Sequence, residues 1–149
     1  MGAYRNTGNR SVGAGSTLTM SEVIHEGKTV NLDTAAGCTV TLPASRGLGA
    51  VYRFLITTKA TSNSHIIKVA NSSDSMIGFV ITQSDDSGNP SKQYFAATND
   101  DTITLNRGTT GSVSNGEWIE IVDAAANTFA VRGFTSSTGT EATPFSSTV

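Results

Sequence analysis

From Glu117 to Gly133 the chain reads EWIEIVDAAANTFAVRG, two alternating runs either side of a short alanine-rich break. Successive side chains of a strand point to opposite faces, so Trp118, Glu120 and Val122 share one side while Ile119, Ile121 and Asp123 share the other. Ala124 to Asn127 then form a loop, Thr128 to Arg132 alternates again, and Gly133 ends the run, which predicts an antiparallel hairpin. Both of its sides carry apolar residues. The hairpin also holds the single tryptophan, expected to be buried, and truncating a buried Trp costs ~3–5 kcal/mol.

The same alternation runs through the rest of the chain. Thr17 to Ile24 predicts a first strand. Lys28–Leu32 and Cys38–Leu42 predict a pair, read as a hairpin about the turn Ala35, Ala36, Gly37, with Pro43 stopping the second run. Ala50 to Thr58 is the strongest apolar strand and is expected to lie centrally. Arg53 within it is read as a paired or snorkelling structural arginine. His65–Val69, Met76–Thr82, Tyr94–Ala97 and Thr102–Leu105 come next as shorter strands, and Gly78 marks a bulge or a close backbone approach. Gln83–Lys92 and Arg107–Gly116 are polar, turn-rich loops, the second expected to be flexible. Roughly nine strands at ~8–12-residue spacing predict an all-β sandwich or barrel.

Both ends differ from this body. Residues 1–16 carry four glycines, two arginines and almost no large apolar group except Tyr4, so they are expected to form a flexible arm, either a disordered terminus without a role or one that gains order on a neighbouring subunit. Residues 134–149 have only Phe134 and Phe145 as large anchors and are expected to form an extended tail around the body at 17–133. The start MGAYRNTGNR lacks the apolar core of an export signal, and Asn6 stands where a myristoylation signal wants Ser or Thr, so synthesis in the cytoplasm without a cleaved export signal is expected.

Composition narrows the chemistry. A net charge of −2 with only ten Lys plus Arg leaves no electrostatic footprint for nucleic acid, and the apolar runs, Phe54–Ile56 among them, are far too short to span a membrane. The single Cys38 reads as a small buried hydrophobe and not as a nucleophile, and His25 and His65 read as structural. Asp85–Asp86 and Asp100–Asp101 read as solvated turns without the spacing of a calcium loop. No GxSxG, P-loop, HExxH or CxxC pattern occurs, so neither an enzyme nor a cofactor is expected.

Three stretches carry a family resemblance: VTLPASRGLGAVYRF at Val40–Phe54, SNSHIIKVAN at Ser62–Asn71, and EWIEIVDAAANTFAVRGF running into TGTEATPF at Thr138–Phe145. In them the chain resembles the small all-β head decoration, or cement, proteins of tailed bacteriophages. That resemblance implies a jelly-roll-like antiparallel β-sandwich on the outer surface of the virion. Several copies there would clamp adjacent major capsid proteins against internal DNA pressure. A homo-oligomer is expected, as a trimer, with Tyr4, Arg5, Arg10, Phe134 and Phe145 as candidate contacts to capsid or subunit; these five come from the nature of the two ends and not from a family motif. The alternative is a tail fibre, spike or carbohydrate-binding module, which would need an exposed aromatic shelf or a polar cleft.

Overall fold

The structure, a computed structural model, describes residues 8–149. In chain order its elements are β1 (Ser11–Gly13), β2 (Thr17–Thr19), α1 (Glu22–His25), β3 (Thr29–Leu32), β4 (Thr39–Thr41), β5 (Val51–Ile56), β6 (His65–Lys68), β7 (Ser75–Ser84), β8 (Lys92–Phe95), β9 (Thr102–Leu105), β10 (Trp118–Ala125), β11 (Thr128–Ser137) and β12 (Phe145–Ser146). They build an all-β sandwich of two sheets, one of seven strands ordered β1-β3-β5-β10-β11-β7-β8 and one of five ordered β12-β9-β6-β4-β2. The first expected strand is therefore shorter than its pattern suggested. After Thr19 the chain turns inward at the buried Met20 and then makes the single helical turn α1.

The antiparallel expectation is corrected by the ladders. β10 pairs with β5 and β11, β7 with β8, and β9 with β6 and β12 in antiparallel fashion. β1–β3, β3–β5, β2–β4, β4–β6 and β7–β11 are parallel. The expected hairpin of β3 with β4 is absent for the same reason: these two strands belong to different sheets. Leu32 C=O accepts the Thr57 and Thr58 N–H groups, while Cys38 C=O accepts the Ile66 N–H. The first six strands thus wind as a coil, each turn laying one strand in each sheet parallel to the strand of the turn before.

Stacking arises from the residues at each turn. Val12, Val30 and Phe54 align across β1, β3 and β5, and Leu18, Val40 and Ile67 align across β2, β4 and β6. The later members of both stacks are buried, as are Tyr52, Ile103, Leu105, Ile119, Ile121, Phe129 and Val131 from the remaining strands. Fully burying one such side chain contributes ~1.5–3 kcal/mol, so these inward rows are the main source of stability.

Both ends join this body. Ser11–Gly13, placed in the arm by sequence, forms the edge strand β1, and Ala14 is buried. Phe134–Ser137, placed in the tail, continues β11 alongside β7. Phe145 enters the core at 5% exposure and pairs with Ile103. Asp101 then ties down the last residues of the chain, accepting the Thr148 N–H at 2.9 Å; it also accepts the Thr102 hydroxyl at 2.8 Å. Burial alone would raise its pKa, but the hydrogen bonds from Thr148, Thr102, Val149 and Ser147 outweigh burial and hold it below the ordinary carboxylate value. Asp101 is thus a buried anchor and not the solvated turn residue expected.

His65 is fully buried, its Nδ1 accepting the Cys38 N–H at 3.1 Å and its Nε2 lying 2.9 Å from the Thr58 carbonyl. This arrangement satisfies a neutral ring protonated on Nε2. It also directs the imidazole at backbone groups, so His65 does not activate the buried Cys38 as a base would. Burial pushes the His65 pKa below its ordinary value. Below pH ~6.5 the unfolded chain gains a proton that the native ring refuses, so stability falls as pH falls through this window. Denaturant unfolding at about pH 7.5 and about pH 5.5 is expected to show this decline, and a smaller one in His65→Gln; equal declines would rule the histidine out as the cause.

Candidate functional site

Outward residues of the seven-stranded sheet fall into three rows that register places side by side. In the first, Leu55, Trp118, Phe134 and Ile81 align across β5, β10, β11 and β7. The second contains Arg53, Glu120, Arg132, Phe79 and Phe95, and the third Val51, Val122, Ala130 and Ile77. With strands ~4.8 Å apart and like-facing residues ~6.8 Å apart, the rows cover about 19 Å by about 14 Å.

This face is unusually apolar for one turned to solvent. Trp118 is 47% exposed, Phe134 40%, Ile77 52% and Phe95 65%. The expected burial of Trp118 is therefore corrected. Its alternation was read properly, but its side of β10 faces outward and Ile119, Ile121 and Asp123 face the core. Phe79 and Phe95 pack at 5.7 Å between ring centroids with a tilt of 54°, a favourable aromatic geometry that keeps both rings at the surface. Contiguous exposed apolar area of this kind marks an interaction site more often than an incidental surface.

Charge crosses the middle row. Glu120 lies 3.2 Å from Arg53 Nε and 3.8 Å from Arg132 Nη2. The expectation that Arg53 is paired is thus met, by the cross-strand neighbour directly opposite it. The row carries one net positive charge, with Arg53 and Arg132 more than half exposed and Glu120 more covered. Such surface pairs add little stability, ~0–1 kcal/mol, and Glu120 draws the two arginines together across β5, β10 and β11.

Two buried carboxylates hold the frame. Glu117, immediately before β10, accepts the N–H groups of Ser112, Val113 and Ser114 at 2.7, 2.8 and 2.7 Å. This pins the loop that was expected to be flexible. Desolvation raises the Glu117 pKa in spite of these donors. Asp123, near the other end of β10, accepts the Ser45 hydroxyl at 2.7 Å and the N–H groups of Arg46, Gly47 and Leu48 at 3.0, 2.8 and 3.1 Å. Here burial raises the pKa, but the hydrogen bonds prevail and hold it below the usual value. Beside this group, burial and the charges of Glu22, Asp123 and Glu26 push the Tyr52 pKa up to about 12.

The five contact candidates separate. Phe134 lies in the first row of that face, paired with Trp118. Arg10 is exposed at the β1 edge of the seven-stranded sheet, beside an open hollow of about 330 Å³ shared with Lys28 and Glu26. Phe145 is corrected from contact to core residue. Tyr4 and Arg5 lie outside the described residues.

No protein-family model, curated protein or solved structure matches this chain. Among the described residues no three His, Cys, Asp or Glu side chains gather as metal ligands would, and no helix is long and apolar enough to cross a membrane. The buried carboxylates of Asp74, Asp101, Glu117 and Asp123 each accept backbone N–H groups, and Glu141 is paired with Lys92 at 2.7 Å. These hydrogen bonds and the ion pair fix loops. What this geometry offers is an outward sheet face that carries exposed aromatic and apolar side chains together with two arginines.

Proposed function

We propose that this chain is a bracing protein of a virus particle, a head decoration or cement protein, and not an enzyme. It docks on the major capsid protein with the outer face of the seven-stranded sheet, from the outer surface of the virion and in several copies. The observation that carries this proposal is the apolar row Leu55–Trp118–Phe134–Ile81 across four adjacent strands. Trp, Phe and Arg are the residues that dominate protein interfaces, and here they stand on a frame whose rigidity lowers the entropy lost on docking. The resemblance of Val40–Phe54, Ser62–Asn71 and the β10–β11 hairpin to phage decoration proteins supports the same role.

The test is co-sedimentation with capsids that lack the protein. Replacing Trp118 and Phe134 together by Ser is expected to lower affinity at least about tenfold, since interface hot spots are worth ~2 kcal/mol or more. Trp118 and Phe134 are 47% and 40% exposed, so the double variant is expected to lose some stability but to stay folded, which a thermal melt checks. Unaltered occupancy in a folded double variant would refute docking by this face.

A second reading is favoured by one observation: the Trp118–Phe134 row is the exposed aromatic shelf that a fibre, spike or carbohydrate-binding module needs. Glycan-array binding lost in the same double variant, with no binding to capsids, would select it.

A further inference from the structure

The middle row of the seven-stranded sheet leaves most of its cationic donors unused. A guanidinium carries five N–H donors. Arg53 donates Nε to Glu120 at 3.2 Å, and Arg132 stands 3.8 Å from the same carboxylate, beyond hydrogen-bond distance. Neither has another partner among the described residues. Beside Arg53 the surface dips into an open hollow of about 320 Å³, lined also by Thr29, Leu55, Trp118 and Glu120. An arginine with free donors therefore shares one hollow with the exposed tryptophan.

The charges around this row decide what would fit it. Arg53, Glu120 and Arg132 are the only charged side chains at the outward positions of the seven strands. At the β1 edge Arg10 and Lys28 share their hollow with Glu26, again two cations to one acid. Glu117 and Asp123 lie on the core side of β10, each surrounded by N–H donors. Arg46–Glu22 and Lys92–Glu141 are paired. Asp33, Lys59, Asp85 and Asp86 lie past the strand ends, ~14 Å or more from the middle row at ~3.4 Å per residue, and so beyond the screening length of about 8 Å. The chain as a whole carries −2, so the middle of this face is positive against a negative remainder.

We propose that the segment of capsid protein held by this face is acidic: an Asp or Glu side chain enters the hollow onto Arg53, Arg132 attracts the same acidic stretch, and apolar neighbours of the acid cover Trp118 and Phe134. Arginine suits this role because its planar fork binds a carboxylate through two parallel hydrogen bonds. A protein segment fits better than another polyanion. Nucleic acid and anionic lipid surfaces are held by longer basic stripes or by clusters of about 4–8 Lys and Arg, and neither would cover the apolar row. This inference deepens the docking proposed above and rests on it. The two fail separately, because docking depends on the aromatic row and the acidity of the partner on the arginines.

Charge variants of the full chain, co-sedimented with capsids that lack it at about 50 and about 300 mM salt, provide the test. Arg53→Gln and Arg132→Gln are each expected to weaken attachment about three- to tenfold. Glu120→Gln removes the one acid of the row and is expected to tighten attachment about two- to fivefold. All three differences should shrink at the higher salt. Lys68→Gln makes the same charge change as the arginine variants on the outer side of the five-stranded sheet, and should attach like the parent. None of the four side chains is buried, so the variants are expected to fold, and either arginine alone suffices for the comparison. Arginine variants that attach like the parent, while the Trp118 and Phe134 double variant detaches, would overturn this inference and leave docking by the face standing. If the double variant also attaches normally, both fall. Weaker attachment in Glu120→Gln, an equal loss in Lys68→Gln, or a short DNA duplex or a second copy of the chain bound through Arg132 in place of the capsid would likewise overturn it.

Discussion

Asp123→Ala is expected to lower stability by about 3–4 kcal/mol, or roughly 10 °C in melting temperature for a domain of this length. The carboxylate accepts one hydroxyl and three backbone N–H groups, and hydrogen bonds to a charged acceptor contribute ~1.5–3 kcal/mol each. The full sum does not apply, because Arg46, Gly47 and Leu48 are exposed and their N–H groups can turn to water once released. Ser45 is buried and keeps its bond to the Ala125 carbonyl at 2.7 Å. Asp123 is charged in the native state with a lowered pKa, so its contribution is present above the ordinary aspartate pKa and disappears as pH falls through the native value. Thermal melts at neutral pH and in acid should therefore show parent and variant converging at low pH. A loss under about 1 kcal/mol at neutral pH would contradict the proposed role of this carboxylate.

Gly78→Ala is expected to be at least as damaging, about 3–5 kcal/mol, with Gly78→Val preventing a folded β7–β11 ladder altogether. Gly78 has φ +105°, and a Cβ built there would lie 2.1 Å from the Val131 carbonyl oxygen. That oxygen belongs to the directly paired residue of β11, so relief requires moving a backbone strand and not a side chain. Gly88→Ala serves as the control, because a Cβ there meets nothing within 4 Å. It should be neutral within ~0.5 kcal/mol. Equal melting temperatures for the two variants would show that β7 does not approach β11 as described.

Gly78 was legible in the sequence because glycine inside a strand has few other uses. The β10–β11 hairpin and the central place of β5 were legible too, since period-two alternation is a local property. Parallel pairing was not. Alternation reports which side of a strand is apolar, but not which sheet it joins, and Ala35–Gly37 resembles a hairpin turn while in fact carrying the chain between sheets. Gly37 is there to pass Asn63 and Ser64, where a Cβ would meet the Ser64 carbonyl at 2.5 Å. Gly133 misled in a related way. It faces the core at a point where a Cβ would meet Ile119 Cδ1 at 2.5 Å, so it permits close packing of β10 against β11 and does not end the strand. Taking it as a terminator detached Phe134 from the hairpin and hid its pairing with Trp118.

One signal for the buried carboxylates was available in the alternation. Glu117 and Asp123 are in phase with Ile119 and Ile121, on the buried side of β10. An acid in that phase must be met by several donors, because an unpaired charge there would be prohibitively costly. The donors come from loops 3 to 78 positions away in sequence, and no local pattern could name them. Composition is a poor guide to residues 8–16 and 134–149. Too few apolar residues to fold alone does not prevent Ala14 or Phe145 from completing a core built by others.

The central claim is that the outer face of the seven-stranded sheet is the surface by which this protein braces its partner. A cryo-electron density map of virus particles carrying the protein tests it most directly. The account predicts density for this fold on the outside of the shell, with Trp118, Phe134 and Arg132 against the capsid protein. Density in which that face looks out to solvent while another surface makes the contact would contradict it.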